Sequence, residues 1–354
     1  MDYRIHTRDV VGRDSFGLFL DFIKLKPWQG ALAGLAFYLV YVFVMSAFFG
    51  VLTPKNGLEL NSLSDGSNML GFFIIYPIVF YFYLAQPKAI ADLYHLVIPL
   101  SPEPMHRGLL RASRILHRSY RIWVLPVLSG LVVVILGVLF VSAHLGTRWY
   151  SVNWWMGSIL QLSRFFFFYG IISIIVRHLL AAFNLNRIYN HIKLPVLVGE
   201  SKYGPSFNAI TKYGLNFAGF GAALGFFIAI RYLYATPVFP EDAIYLTVYI
   251  VLIPLSFSLP FWQAHANMRD ARKDALDRIE LSLQEEYDRL MKDVPDLPDL
   301  ETSSERVGML RTLLELTEKA PTWPFESWVV YRVFAATILP FVMTGLGFLV
   351  DLLF

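Results

Sequence analysis

No cysteine occurs in the 354 residues. That absence excludes a disulfide framework, thiolate zinc sites, thiol catalysis and cysteine-ligated iron–sulfur clusters. Charge is scarce too: 16% of residues are charged and 56% are hydrophobic, whereas a soluble domain carries roughly a quarter charged. The net charge of +3 gives no overall basic excess and no reason to expect nucleic acid as a partner. Enzyme signatures are missing as well. There is no His-Glu-x-x-His, no Gly-x-Ser-x-Gly, no Walker spacing and no Gly-x-Gly-x-x-Gly. The eight histidines are scattered, and the aspartates 270, 274 and 277 are interleaved with Arg269, Arg272, Lys273 and Arg278, as on a solvated helix face. No catalytic residue, metal site or cofactor is expected. Nothing in Met1 to Lys26 reads as a cleaved signal, because nine charged residues leave no apolar core segment.

What the chain does have is apolar length. With a mean hydropathy of +0.52, it carries stretches of about 20 residues suited to crossing a bilayer. They fall at 29–52, 68–86, 122–145, 155–180, 213–235, 243–262 and 327–350, and each is expected to be helical, since a lone strand leaves backbone groups unsatisfied in lipid. The fold class expected is therefore all-α: a polytopic helical membrane protein with about seven spans and a cytoplasmic helical hairpin. Residues 1–262 would form a six-span membrane domain, 263–320 the hairpin, and 321–354 a C-terminal span. That last span is the weakest, carrying Arg332, Pro340 and Asp351, and a re-entrant path is its alternative. Lysine and arginine sort by side. The segments before span 1 and after spans 2, 4 and 6 hold 5, 6, 4 and 9, making 24 of 30, while the other connections hold 1, 1 and 0. The positive-inside rule then places the N-terminus in the cytoplasm of a plasma or inner membrane and the C-terminus outside. Trp28, Trp123, Trp154, Trp155, Trp262, Trp323 and Trp328 fall at span limits, at the level tryptophan favours.

Two expected cytoplasmic pieces offer binding surfaces. Arg107, Arg111, Arg114, Arg118 and Arg121 recur at helical spacing on one face, opposite Leu109, Ala112, Leu116 and Trp123. Such a helix can lie on anionic lipid, as a regulatory contact or simply as an anchor. Further on, Leu276, Ile279, Leu283, Tyr287, Leu290 and Val294 form one apolar stripe, ending at Pro295 and Pro298. Thr302-x-x-Glu305 reads as a capping box opening a second helix, which Pro321 ends. The stripe can pack within the hairpin, against a second copy, or against a cytoplasmic protein.

The segment Pro321-Thr-Trp-Pro-Phe325, followed by an apolar span containing Pro340, resembles the C-terminal end of a group of prokaryotic multi-pass membrane proteins without an established function. A Pro…Gly turn before an internal span, here Pro195 to Gly204, is similar to theirs, without their acidic residue and paired glycines. The resemblance implies architecture only.

Inside the spans, the costly residue is Arg164, nine residues beyond Trp155 and so roughly 13 Å deep at 1.5 Å per residue. An arginine at the membrane centre costs about 2.5–3.5 kcal/mol on insertion scales. Gln161 shares its face, and Arg231 and Asp351 sit at compatible depth near the outer ends of their spans. Two readings stand: a cationic constriction in an anion pathway, or an Arg164–Asp351 structural pair. Gly30 with Gly34, and Gly221 with Gly225, permit close helix approach. The leading expectation of function is a membrane conduit, channel or transporter-like, for anions. A scaffold or sensor binding a partner through the cytoplasmic helices is the alternative, and a membrane enzyme without a recognisable motif is third.

Overall fold

The computed structural model describes residues 6–53, 60–97, 118–122, 124–190, 205–234, 258–292 and 297–323, with scattered positions between 247 and 255 and between 329 and 342. Among them, ten bounded α-helices carry the fold: α1 (Thr7–Val11), α2 (Ser15–Phe22), α3 (Pro27–Phe48), α4 (Gly66–Val97), α5 (Val124–Ala143), α6 (Trp154–Leu160), α7 (Leu162–Tyr189), α8 (Pro205–Tyr234), α9 (Trp262–Lys292) and α10 (Leu297–Glu318). Five of them contain stretches long and apolar enough to cross a membrane: Pro27–Phe48, Gly71–His95, Pro126–Ala143, Leu162–Tyr189 and Thr211–Ile230. The expected spans at 243–262 and 327–350 are described only in part.

Contacts set the directions. Gly30 meets Leu84 and Gly34 meets Phe80, so α3 and α4 run antiparallel. Gly71 meets Phe227 while Phe82 meets Phe220, so α4 and α8 do likewise. Tyr76 reaches Ser163 and Tyr94 reaches Ala181, a constant offset that makes α4 and α7 parallel. The result is an up-and-down bundle around α4, whose centre is filled by rings. Tyr38 stacks on Phe72 and Tyr76, Tyr76 stacks on Phe80 and Phe167, and Phe227 meets Phe72 edge-on. On the outside, Leu128, Leu131, Ile135 and Leu139 of α5 are exposed, the apolar surface a membrane helix turns to lipid.

Local sequence explains the ends. Pro27 takes the first position of α3, where a missing N–H costs nothing, and Gln29 caps the Lys26 amide at 2.9 Å. Residues 155–180 were expected as one continuous helix, but the chain breaks at Gln161, which closes α6 and opens α7. Tyrosines take up neighbouring carbonyls: Tyr41 donates to Ile159 O at 2.6 Å and Tyr76 donates to Ser163 O. Prolines 77 and 87 sit within α4 without ending it.

Beyond the bundle, α9 and α10 fold back on each other. Arg306 bonds Glu286 at 3.4 Å and Arg272 approaches Ala320 O at 3.5 Å, the pairing of antiparallel helices. The second helix opens at Leu297, five residues before the Thr302 capping box expected to start it. Pro298 fits there because the first helical turn tolerates proline. Asn186 of α7 anchors the start of this hairpin, donating to Leu259 O at 2.6 Å and accepting from the Gln263 amide at 3.2 Å.

Candidate functional site

Among the described residues, two charged centres lie within the bundle, one towards each end. At the end formed by the turn after α5, Arg164 is only 6% exposed. Its Nη1 donates to Gln161 Oε1 at 3.2 Å, one helical turn earlier. The guanidinium carbon stands 4.2 Å from the Tyr150 ring centre and 5.3 Å from those of Phe72 and Phe140. Cation–π attraction of this kind contributes about 0.5–2 kcal/mol per ring, more when water is excluded. The neighbouring carboxylate, Asp65, is engaged elsewhere: it accepts from Trp149 Nε1 at 3.0 Å and from Asn68 Nδ2 at 3.1 Å. Arg164 and Gln161 thus meet as their spacing suggested, within a ring-lined helix interface. Asp351 lies outside the described residues, as does the Arg231 side chain, although the Arg231 backbone belongs to α8.

The second centre was not read from sequence. Asp14 caps the N-terminus of α2, accepting from the Gly17 amide at 3.1 Å. It simultaneously receives Arg177 Nη2 of α7 at 2.6 Å, the Tyr83 hydroxyl at 2.6 Å and the Tyr169 hydroxyl at 2.7 Å. Arg177 also donates to Tyr83 O at 3.1 Å and lies 4.5 Å from the Tyr83 ring centre. Asp14 and Arg177 are 4% and 5% exposed. A charge-assisted network this complete removes most of the penalty of burying two ions, and the capping carboxylate gains further from the helix dipole. The sequence signal available was a second arginine, Arg177, in the span at 155–180, near its inner end.

Beside this pair opens a cavity of about 960 Å³ between α2, α4 and α8. Arg177 and Tyr83 form part of its wall; Lys24, Lys88, Lys212 and His95 also line it, against Asp21 and Asp92. The lysines and both aspartates are exposed, so the cavity communicates with the surroundings at that end. Lys24 is held at φ 58°, a left-handed conformation unusual for a side-chain-bearing residue, in the tight turn from α2 to α3. Next to Arg177, His178 bonds the Tyr213 hydroxyl at 2.8 Å and stacks on Phe217.

Of the remaining sequence candidates, Gly30 and Gly34 face α4, and Gly221 and Gly225 are buried within α8. In the basic series, Arg107, Arg111 and Arg114 lie outside the described residues, while Arg118 and Arg121 are exposed. Arg121 contacts Asp9 of α1 at 3.5 Å, so it borders the N-terminal segment as well as its surroundings.

An all-α fold with five helices long and apolar enough to cross a membrane is that of the polytopic helical class of membrane proteins. No protein family, curated protein or solved structure matches the chain.

Proposed function

We propose that the protein is a membrane conduit of the transporter type for an anion with an apolar part, taken up from the cytoplasmic side. The observation that carries this reading is the 960 Å³ cavity with Lys24, Lys88, Lys212 and His95 on its wall. Three lysines outnumber the two aspartates there, and Leu25, Leu84, Pro87 and Leu93 supply apolar surface. Basic groups at the mouth of a low-dielectric cleft concentrate anions. The ring-filled bundle centre between this cavity and Arg164 favours alternating access over an open pore. In this reading Arg177 is held by Asp14 at the inner wall of the cavity, and Arg164 lies beyond the aromatic layer.

Proteoliposome uptake tests the proposal, with benzoate and inorganic phosphate as probes. Saturable benzoate uptake, lowered severalfold by Lys88→Gln with Lys212→Gln, is the expected result. Wild-type vesicles no more permeable than protein-free ones to both probes overturn it. A second reading, a scaffold, is favoured by the hairpin: Leu281, Met291 and Met309 are 65%, 78% and 64% exposed. Retention of a cytoplasmic partner by the full-length protein, lost on Leu281→Lys with Met309→Lys, would support that alternative.

A further inference from the structure

The Arg164–Gln161 pair has donors left over. Among the described residues, the hydrogen bond within the pair uses Arg164 Nη1 and Gln161 Oε1. Arg164 Nη2 and Gln161 Nε2 are both buried without a hydrogen-bond partner, on residues only 6% and 2% exposed. No carboxylate pairs with Arg164 among the described residues, and Asp65 is occupied by Trp149 and Asn68. The rings of Phe72, Phe140 and Tyr150 flank the guanidinium, but a ring face does not satisfy an in-plane N–H. A buried donor without an acceptor costs about 1–3 kcal/mol, and more when it is charged. Two such donors on one hydrogen-bonded pair, bearing a net positive charge within a helix interface, form an anion-binding arrangement.

We propose that Arg164 and Gln161 hold a small monovalent anion of halide size as a resident counterion. The three rings around the guanidinium favour a compact, weakly hydrated ion over phosphate or an organic acid. An anion there supplies an acceptor for both donors, which have none among the described residues. The pair sits where the Tyr150 ring, in the turn after α5, packs on Arg164 beside the break between α6 and α7. This site is separate from the basic cavity, and the inference does not rest on the conduit reading.

The experiment is thermal unfolding of the full-length protein in detergent, with sodium chloride replaced by sodium gluconate at constant ionic strength. The expected wild-type result is a melting temperature that rises with chloride concentration, as linkage requires for an ion bound only by the folded state. Bromide should substitute for chloride. Gln161→Leu should flatten the dependence by removing one donor. Gln161→Glu places a carboxylate beside the guanidinium. That variant should lose halide dependence and melt in gluconate at least as high as wild type does there. Arg121→Gln, at the exposed arginine near α1, should leave the dependence unchanged. A wild-type melting temperature indifferent to chloride overturns the proposal. Halide dependence that persists undiminished in both Gln161 variants overturns it too, placing the ion elsewhere.

Discussion

At the scale of single residues, the molecule is held by one carboxylate that serves two purposes. Asp14 caps the N-terminus of α2 and neutralises Arg177, with two tyrosine hydroxyls completing its shell. Removing one partner of such a pair leaves an uncompensated charge, which costs about 3–5 kcal/mol, whereas removing both leaves none. Asp14→Asn and Arg177→Gln should therefore each lower the melting temperature of the detergent-solubilised protein sharply. The double variant should recover much of that loss. Additive losses in the cycle would show that the two side chains act independently. Tyr169→Phe removes one hydrogen bond to a charged group and should cost less, about 1.5–3 kcal/mol. Gly12 is the second sensitive position. It lies at φ +64, and a Cβ there would stand 1.9 Å from the Tyr120 carbonyl oxygen. Left-handed backbone costs a side-chain-bearing residue about 1–2 kcal/mol before any clash. Gly12→Ala should loosen α1 and α2 from the bundle, read as faster proteolysis within residues 6–25 while the five apolar helices stay protected. Unchanged cleavage would show that the segment docks by other contacts.

At the scale of elements, close packing of α3 on α4 depends on what faces each glycine. A Cβ at Gly30 meets the end of the flexible Leu84 side chain, whereas one at Gly34 meets the Phe80 ring at 2.8 Å. That ring is stacked on Tyr76, so it has little freedom to yield. Overpacking typically costs about 1–3 kcal/mol. Gly34→Ala should therefore destabilise more than Gly30→Ala in the same melting assay, and the reverse order would contradict the packing. These glycines were legible in the sequence because small residues at spacing four announce themselves. The five apolar helices were legible for the same local reason, since hydropathy is summed over neighbours. Their true ends were not. Hydropathy stopped the second and fourth spans at residues 86 and 180, but α4 and α7 continue to Val97 and Tyr189 through polar sequence held by packing. The break at Gln161 was hidden as well, because Tyr41 and Tyr76 bond the carbonyls beside it from distant helices. Arg164 and Gln161 could be placed together from their spacing, while Asp14 and Arg177 are 163 residues apart and only the folded chain unites them.

At the scale of the whole molecule, helix directions and charge distribution make one joint statement about the membrane. The N-terminal segment, the ends of α4 and α7 and the start of α8 gather at one end of the bundle: Arg177 meets Asp14, and His178 meets Tyr213. The α9–α10 hairpin is tied to that same end through Asn186 and Asn267, the latter donating to Tyr189 O. Basic residues concentrate in the segments that leave this end, 24 of the chain's 30. Short connections rich in lysine and arginine remain on the cytoplasmic side during insertion. The orientation expected is thus N-terminus, basic cavity and hairpin in the cytoplasm, with the Trp149–Tyr150 turn and the Arg164 centre towards the outside. Full-length protein carrying a periplasm-active reporter inserted after residue 60 or residue 238 should score as external. The same reporter after residue 300 should score as cytoplasmic. Because the hairpin and the cavity share one end of the bundle, an external score at residue 300 would move both across the membrane. It would also reverse the direction of anion uptake argued above. An internal score at residue 60 with an internal score at residue 300 would instead mean that α3 and α4 do not cross, despite their length and apolarity.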